Sequence, residues 1–223
     1  MTDDTRRPPA GTTDAVVTTV VLARHGRTAW HSPTRYTGCS DIDVDEVGAR
    51  QAKVLAEWAT TAGLTSLACT DLRRTQQTVR PVADAVGLTP TVEPRLRELD
   101  FGVAEGHTLG ELRDSHPAAV DAFLTDPVEH HFPGGEHPAD AVRRARAGLA
   151  DLVAADPGGT ILVVAHSTLI RLLVTDLMGT PLGRYRALLP DLVPTSLTTF
   201  LVRPGSIALA AFNVPPVPYR PEP

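Results

Sequence analysis

The chain has 223 residues, enough for one full-sized domain and short for two. A formal net charge of −5 excludes a general affinity for nucleic acid or an anionic membrane. A few arginines in a cleft still set the local field for a small anion. Two cysteines, Cys39 and Cys69, are too few for a disulfide framework; they read as packing residues in a reducing compartment, which predicts a cytoplasmic protein.

Residues 1–14 read as a polar, disordered tail without the shape of a signal peptide. An apolar strand follows over 16–23, too short to span a bilayer. Apolar Val47, Val54, Leu55 and Trp58, with Gly63 as a stop, predict a helix over 46–62. Next come a strand over 67–70 and a helix over 72–86 that ends at Gly87. The polar segment 107–137 carries Pro117, Pro127, Pro133 and Gly134-Gly135, and predicts short helices and loops lying over a site. A helix over 138–155, a strand over 161–165, a helix over 168–178 and strands over 195–202 and 207–212 complete a single domain, 15–213. Residues 214–223 form a proline-rich tail. All five strands have the composition of strands covered on both faces. Their alternation with helices predicts an α/β fold: a mostly parallel sheet sandwiched between two helical layers.

Ligands of such sheets bind where strands end and turn into helices. The first strand ends in Arg24-His25-Gly26, the second in Thr70-Asp71-Leu72-Arg73-Arg74-Thr75, and the late one in His166-Ser167-Thr168. Two histidines and several arginines thus reach one sheet edge, which suits a phosphoryl dianion. Arg24 and Arg74 offer bidentate forks, and His166 adds a third cation if protonated. A neutral His25 attacks through one ring nitrogen while the other is held by a hydrogen bond. Gly26 lets the backbone approach the phosphate. Glu98 is the leading proton donor for the departing oxygen, and Glu105 is a nearby alternative. Arg73, the next position to Arg74, reads as a surface charge.

The tracts RHGRTAW, RYTGCSDIDVDEVGARQA, TDLRRTQQT, LRELDFGVAEG, FPGGEH and VVAHSTLIR follow one another from about residue 20 to 200. In that order they resemble the histidine phosphatase superfamily, which includes cofactor-dependent phosphoglycerate mutase. The resemblance implies a phosphoglycerate mutase-like three-layer α/β/α sandwich and a phosphohistidine intermediate, with no metal and no cofactor. It also implies His25 as nucleophile, Arg24, Arg74 and His166 as the phosphate pocket, and Glu98 as acid. Thr28, His31, Gly38, Glu105 and Ser167 are implied as substrate contacts. Three positions depart from the family pattern: His31 where asparagine is common, Ser167 where glycine is common, and His137 in place of the serine of G-G-E-S.

Other chemistries fail on spacing. His130, His131 and His137 lack a recognisable fourth metal ligand. The Asp41–Asp45 run lacks the glycine and glutamate of a calcium loop. Cys69 has Thr75 where a cysteine phosphatase needs arginine, and no P-loop occurs. The expected function is a metal-independent phosphomonoester phosphatase acting on a small phosphorylated metabolite. A phosphoglycerate-type mutase and a non-catalytic phospholigand-binding protein are the alternatives. Against the mutase stands the absence of an Arg-Arg pair in 107–137. Arg27, Arg35, Tyr36 and His107 are expected at the specificity rim, while the sequence specifies no oligomeric state.

Overall fold

The computed structural model of the protein describes residues 16–217; residues 1–14 and 218–223 of the expected tails lie outside that range. Six strands form one sheet: β1 (Thr18–Arg24), β2 (Ser66–Cys69), β3 (Thr91–Val92), β4 (Thr160–Ala165), β5 (Leu197–Arg203) and β6 (Ser206–Val214). Their order is β3-β2-β4-β1-β5-β6. Neighbours from β3 to β1 pair in parallel, whereas β5 runs antiparallel to β1 and β6 to β5. The sheet is mostly parallel, as expected, with an antiparallel extension at one edge.

Successive strand residues face opposite ways, and the sequence supplies apolar side chains for both faces. Val20 and Leu22 of β1 join Ile161, Val163 and Ala165 of β4 in one core. Val21 and Ala23 join Leu162 and Val164 in the other. Helices α1 (Glu46–Ala59) and α2 (Arg73–Val86) cover the second core through Leu55, Ala59, Val79 and Val82. Across the sheet, α5 (Pro138–Ala155) and α6 (Ser167–Leu177) cover the first through Ala141, Ala145, Leu169 and Leu173. Each buried Val or Leu contributes roughly 1.5–3 kcal/mol, so these two layers fix the strand tips that carry the chemistry. Two short helices, α3 (Leu109–Ser115) and α4 (Pro117–Thr125), fill the proline-punctuated segment, and a single turn, α7 (Tyr185–Leu188), follows α6.

Local chemistry explains the boundaries. Asp45 caps α1 by accepting from Gly48 N at 2.8 Å, and α2 stops where Gly87 adopts φ +71. His137 caps α5, its Nδ1 accepting from Ala139 N at 3.1 Å, which gives this departure from the family pattern a structural task. Helix α1 ends at Ala59, three residues before the expected stop, because the chain turns through Thr60–Ala62 before reaching Gly63.

Two expectations need correction. The strand β3 was not foreseen: it is two residues long, between Pro90 and Pro94, and carries no periodic run. The last strand was expected to be covered on both faces, yet Ser206–Ala210 are exposed throughout. It is the outermost strand, paired with β5 alone, so its apolar composition does not report burial.

Candidate active site

Because β2, β4 and β1 are neighbours, their carboxyl ends bring Thr70, His166 and His25 together. The rings of His25 and His166 stand 5.4 Å apart, centroid to centroid. A tetrahedral anion bridges such a gap through hydrogen bonds of about 2.8 Å. His25 Nδ1 lies 2.8 Å from the Gly26 carbonyl. A carbonyl only accepts, so Nδ1 carries the proton and Nε2 keeps a free lone pair. The His25 main-chain N–H donates to Ala165 O at 3.0 Å and ties the tip of β1 to that of β4.

Burial, followed by the charges of Arg74 and Arg24, holds His25 well below the ordinary imidazole range. Burial and Arg74 do the same to His166. The same depression favours the neutral form of both rings, so His166 lacks the proton that would make it a third cation. Its Nε2 lies 3.1 Å from Thr70 Oγ1, which is 2.9 Å from Thr75 Oγ1, while its buried Nδ1 has no partner.

Arg74 is fully buried and lies behind the cleft surface. It donates through Nη1 to Ser40 O and through Nη2 to Gly38 O, each at 2.7 Å, and its Nε has no partner. The neighbouring Arg73 is exposed and paired with Asp41 and Asp43. Those two aspartates and the helix-capping Asp45 account for the run that resembles a calcium loop. The loop that receives Arg74 is organised by Glu105. Its carboxylate accepts from the main-chain nitrogens of Gly38, Cys39, Ser40 and Phe101 at 2.8–3.2 Å, and from the Ser40 hydroxyl. Gly38 is required there: a Cβ would stand 1.9 Å from Leu99 O and 2.3 Å from Glu105 Oε1. At Gly26 the crowding comes from Gly48 O, 2.8 Å from a Cβ position, so close approach to α1 is what demands glycine.

Glu98 is buried and lines the cleft with His25 and Arg24. Oε1 accepts from Leu99 N and Leu169 N, and Oε2 from Thr168 N, all at 2.9–3.0 Å. The last two donors belong to the first turn of α6, whose dipole favours the anion. Burial outweighs them and raises Glu98 above the ordinary carboxylate range, which suits a group that arrives with its proton. Glu105 does not line the cleft.

His31 sits with Nε2 2.7 Å from Arg24 Nη2 and Nδ1 3.1 Å from the Thr28 main-chain N–H. Thr28 Oγ1 lies 3.0 Å from the same Nδ1, so the buried Thr28 contacts the imidazole. Burial and then Arg24 push His31 down to about 4, leaving a neutral ring beside the guanidinium. Arg24 also donates to the Leu192 carbonyl, and burial brings it down to about 10. Among the described residues, no group of three His, Cys, Asp or Glu side chains is arranged to hold a metal ion. No helix there is long and apolar enough to cross a membrane.

The cleft measures about 560 Å³. Beyond the groups above, Ser167 and Thr168 of α6 line it, as do Trp30, Arg35, Tyr36, Phe101 and Leu109. Arg171, Arg186 and Asp191 lie on the same wall, and Thr34, Thr37, Pro190 and Pro194 complete it.

The profile of the histidine phosphatase superfamily, branch 1, matches residues 20–215. The chain belongs to this superfamily. A relative named probable phosphoglycerate mutase GpmB, from Enterobacter sp. (strain 638), is 37% identical over 162 residues, 73% of this chain and 75% of its own length. Among solved structures, Bacillus stearothermophilus YhfR superposes with a TM-score of 0.83 at 28% identity, covering 88% of this chain and 97% of its own. A mycobacterial glucosyl-3-phosphoglycerate phosphatase gives 0.79 at 27% identity, covering 89% and 99%.

In this superfamily member the residues expected at the rim divide. Arg35 and Tyr36 line the cleft, whereas Arg27 pairs with Asp45 at 2.8 Å and His107 is exposed away from it. From the whole segment 107–137 only Leu109 reaches the wall. Sequence reasoning missed Arg171, Arg186 and Asp191. Arg171 did leave a trace, being a charge inside an otherwise buried stretch of α6, where a charge needs a partner or a task. Arg186 and Asp191 stand in irregular chain without a pattern.

Proposed function

We propose that this superfamily member is a metal-independent phosphomonoester phosphatase that acts in the cytoplasm on a small phosphorylated metabolite. Nε2 of His25 attacks phosphorus in line, and the bond to the ester oxygen breaks as Glu98 delivers its proton to that oxygen. The alcohol leaves. Glu98, now a carboxylate, takes a proton from water, and the resulting hydroxide displaces phosphate from His25. Arg24, Arg74 and His166 hold the equatorial oxygens through both steps.

The observation that supports this most strongly is the set of buried nitrogens around His25 without partners: Arg24 Nε, Arg74 Nε and His166 Nδ1. A buried, unsatisfied polar group costs about 1–3 kcal/mol. An oxyanion seated beside the neutral nucleophile would give these groups the partners they lack. The experiment is steady-state release of phosphate from p-nitrophenyl phosphate with and without chelator. Release is expected to be indifferent to chelator and reduced at least ~10⁴-fold by His25→Ala. A chelator-sensitive rate restored by a divalent cation would contradict the mechanism.

A mutase is the second reading, favoured by the name of the relative that is 37% identical. Against it, α3 and α4 carry no paired arginines. Isomerisation of phosphoglycerate dependent on a bisphosphorylated primer distinguishes it from simple hydrolysis.

A further inference from the structure

The proposed proton transfer asks Glu98 for one fixed place, yet the chain around it has no ladder to hold it. Residues 97–101 belong to neither a helix nor a strand. Among the described residues no main-chain N–H donates to the carbonyls of Arg95, Arg97 or Glu98. Arg144 of α5 donates to all three: Nη1 to Arg95 O at 2.7 Å and Arg97 O at 2.8 Å, and Nη2 to Glu98 O at 3.0 Å. Its other bonds form a fork with Glu136, Nε to Oε1 and Nη2 to Oε2, each at 2.7 Å. Together these bonds use every N–H the guanidinium has.

Glu136 is itself tied to the chain beyond Glu98. Its main-chain N–H donates to Asp100 O at 2.9 Å, and Val103 N donates to Pro133 O at 3.0 Å. A Cβ at Gly135 would stand 2.7 Å from Asp100 O, so the two segments are in close contact. The ion pair thus spans the acid, gripping the chain before it through carbonyls and the chain after it through the 133–136 turn. At the far end of the Glu98 side chain, the first turn of α6 holds the carboxyl through Thr168 N and Leu169 N. Neither Arg144 nor Glu136 lines the cleft, and their charges cancel. Whatever they do for the reaction passes through Glu98. We propose that Arg144, held by Glu136, is the positioning residue of the proton donor. A proton passes only when donor and ester oxygen stand within about 2.6–3.2 Å, and a misplacement of ~1 Å costs about a hundredfold. With its carbonyl on α5 and its carboxyl on α6, Glu98 has one position. The inference rests on the reading of Glu98 as the acid.

The test is a leaving-group comparison on the full chain, with propyl phosphate and p-nitrophenyl phosphate as the two esters. Arg144→Met should lower kcat about 10- to 100-fold on propyl phosphate and no more than about threefold on p-nitrophenyl phosphate, with both KM values within about threefold. Arg144→Lys should recover little of the loss, because an ammonium lacks the planar fork. Glu136→Gln should shift the ratio of the two rates in the same direction by a smaller factor. In a Glu98→Gln background, Arg144→Met should cost no more than about twofold further, since the group it positions is gone. Equal slowing of both esters, a rise in KM alone, or a full additional loss in the Glu98→Gln background overturns the proposal. Urea midpoints identify a variant that does not fold, and the comparison is then read on Glu136→Gln with the same outcomes. A parent protein that releases no phosphate, or a Glu98→Gln change that slows both esters alike, removes the acid and the proposal together. If Glu98→Gln discriminates between the esters and Arg144→Met does not, the positioning role alone falls.

Discussion

The floor of the cleft and its wall are built differently. His25, His166 and Arg74 sit at or just beyond strand tips, buried between two helical layers, with His25 hydrogen-bonded to the neighbouring strand. Arg35, Arg186 and Asp191 come from loops and a single helical turn and retain contact with solvent. On the proposed mechanism the sheet holds what every phosphoryl transfer needs in one geometry. The loops carry what differs from one ester to the next, and they change without disturbing the ladder. In the proposed mechanism, chemistry and substrate choice are thus carried by parts of the chain with different rigidity.

Glu98→Gln breaks the comparison at its most sensitive point. With an alkyl phosphate, which needs a proton on its departing oxygen, kcat should fall about 10²- to 10⁴-fold. With p-nitrophenyl phosphate, whose leaving group is stable as an anion, the fall should be much smaller. Equal losses on both esters would mean that the acid lies elsewhere on the wall.

Next in size is the loop that connects wall and floor. Glu105→Ala strips the 38–40 loop of its common acceptor, so the denaturant midpoint should report a loss of about 2–3 kcal/mol. Aryl phosphate kcat/KM should fall with it as Arg74 loses its seat. A Glu105→Ala protein of undiminished stability but no activity would instead make Glu105 a participant in the chemistry.

Acid should sharpen the contrast. In the unfolded chain histidines take up protons near pH ~6.5, whereas the folded cleft holds His25 and His166 well below that value and His31 at about 4. The unfolded state binds more protons in between, so their contribution to stability is complete above about pH 6.5 and is lost as the pH falls. Glu98, raised by burial, acts in the opposite sense: its contribution is complete below about pH 4.3 and lost as the pH rises through its folded value. Urea midpoints measured from about pH 8 down to 4 should decline, with a shallower decline in His166→Gln. A midpoint that climbs on acidification would reverse the assignment.

The smallest effect is expected from His31→Asn. The ring contacts Arg24 by one short hydrogen bond. Losing it should change kcat/KM within about tenfold, chiefly through KM, since Arg24 keeps its bond to Leu192. A collapse of kcat would place His31 among the groups that touch the reacting atoms.

The floor was legible in the sequence because each of its groups is fixed by a local rule. An apolar strand ends, and the next polar residue stands at the carboxyl edge of the sheet; Arg24, His25 and His166 all follow it. Arg74 was chosen over Arg73 from the same strand end, yet nothing local separates the two, since a helix offers them side by side and only packing buries the second. Glu105 was legible as a carboxylate near the site, but its five bonds to the 38–40 loop and Phe101 depend on tertiary approach. Short elements escaped notice for a related reason. Neither β3, two residues long, nor α7, four residues long, spans enough chain to show a period. In β6 the composition was read correctly as a strand and its exposure was not, because edge position is a property of the sheet.

The nitrogens left idle around His25 respond to a tetrahedral anion whether or not it is esterified. Inorganic phosphate, the last species in the proposed cycle, fits them as well as the ester that began it. In the proposed cycle each turnover ends with the cradle occupied by its own waste, which then competes with the next ester for the same nitrogens. Progress curves would then flatten well before the ester is consumed.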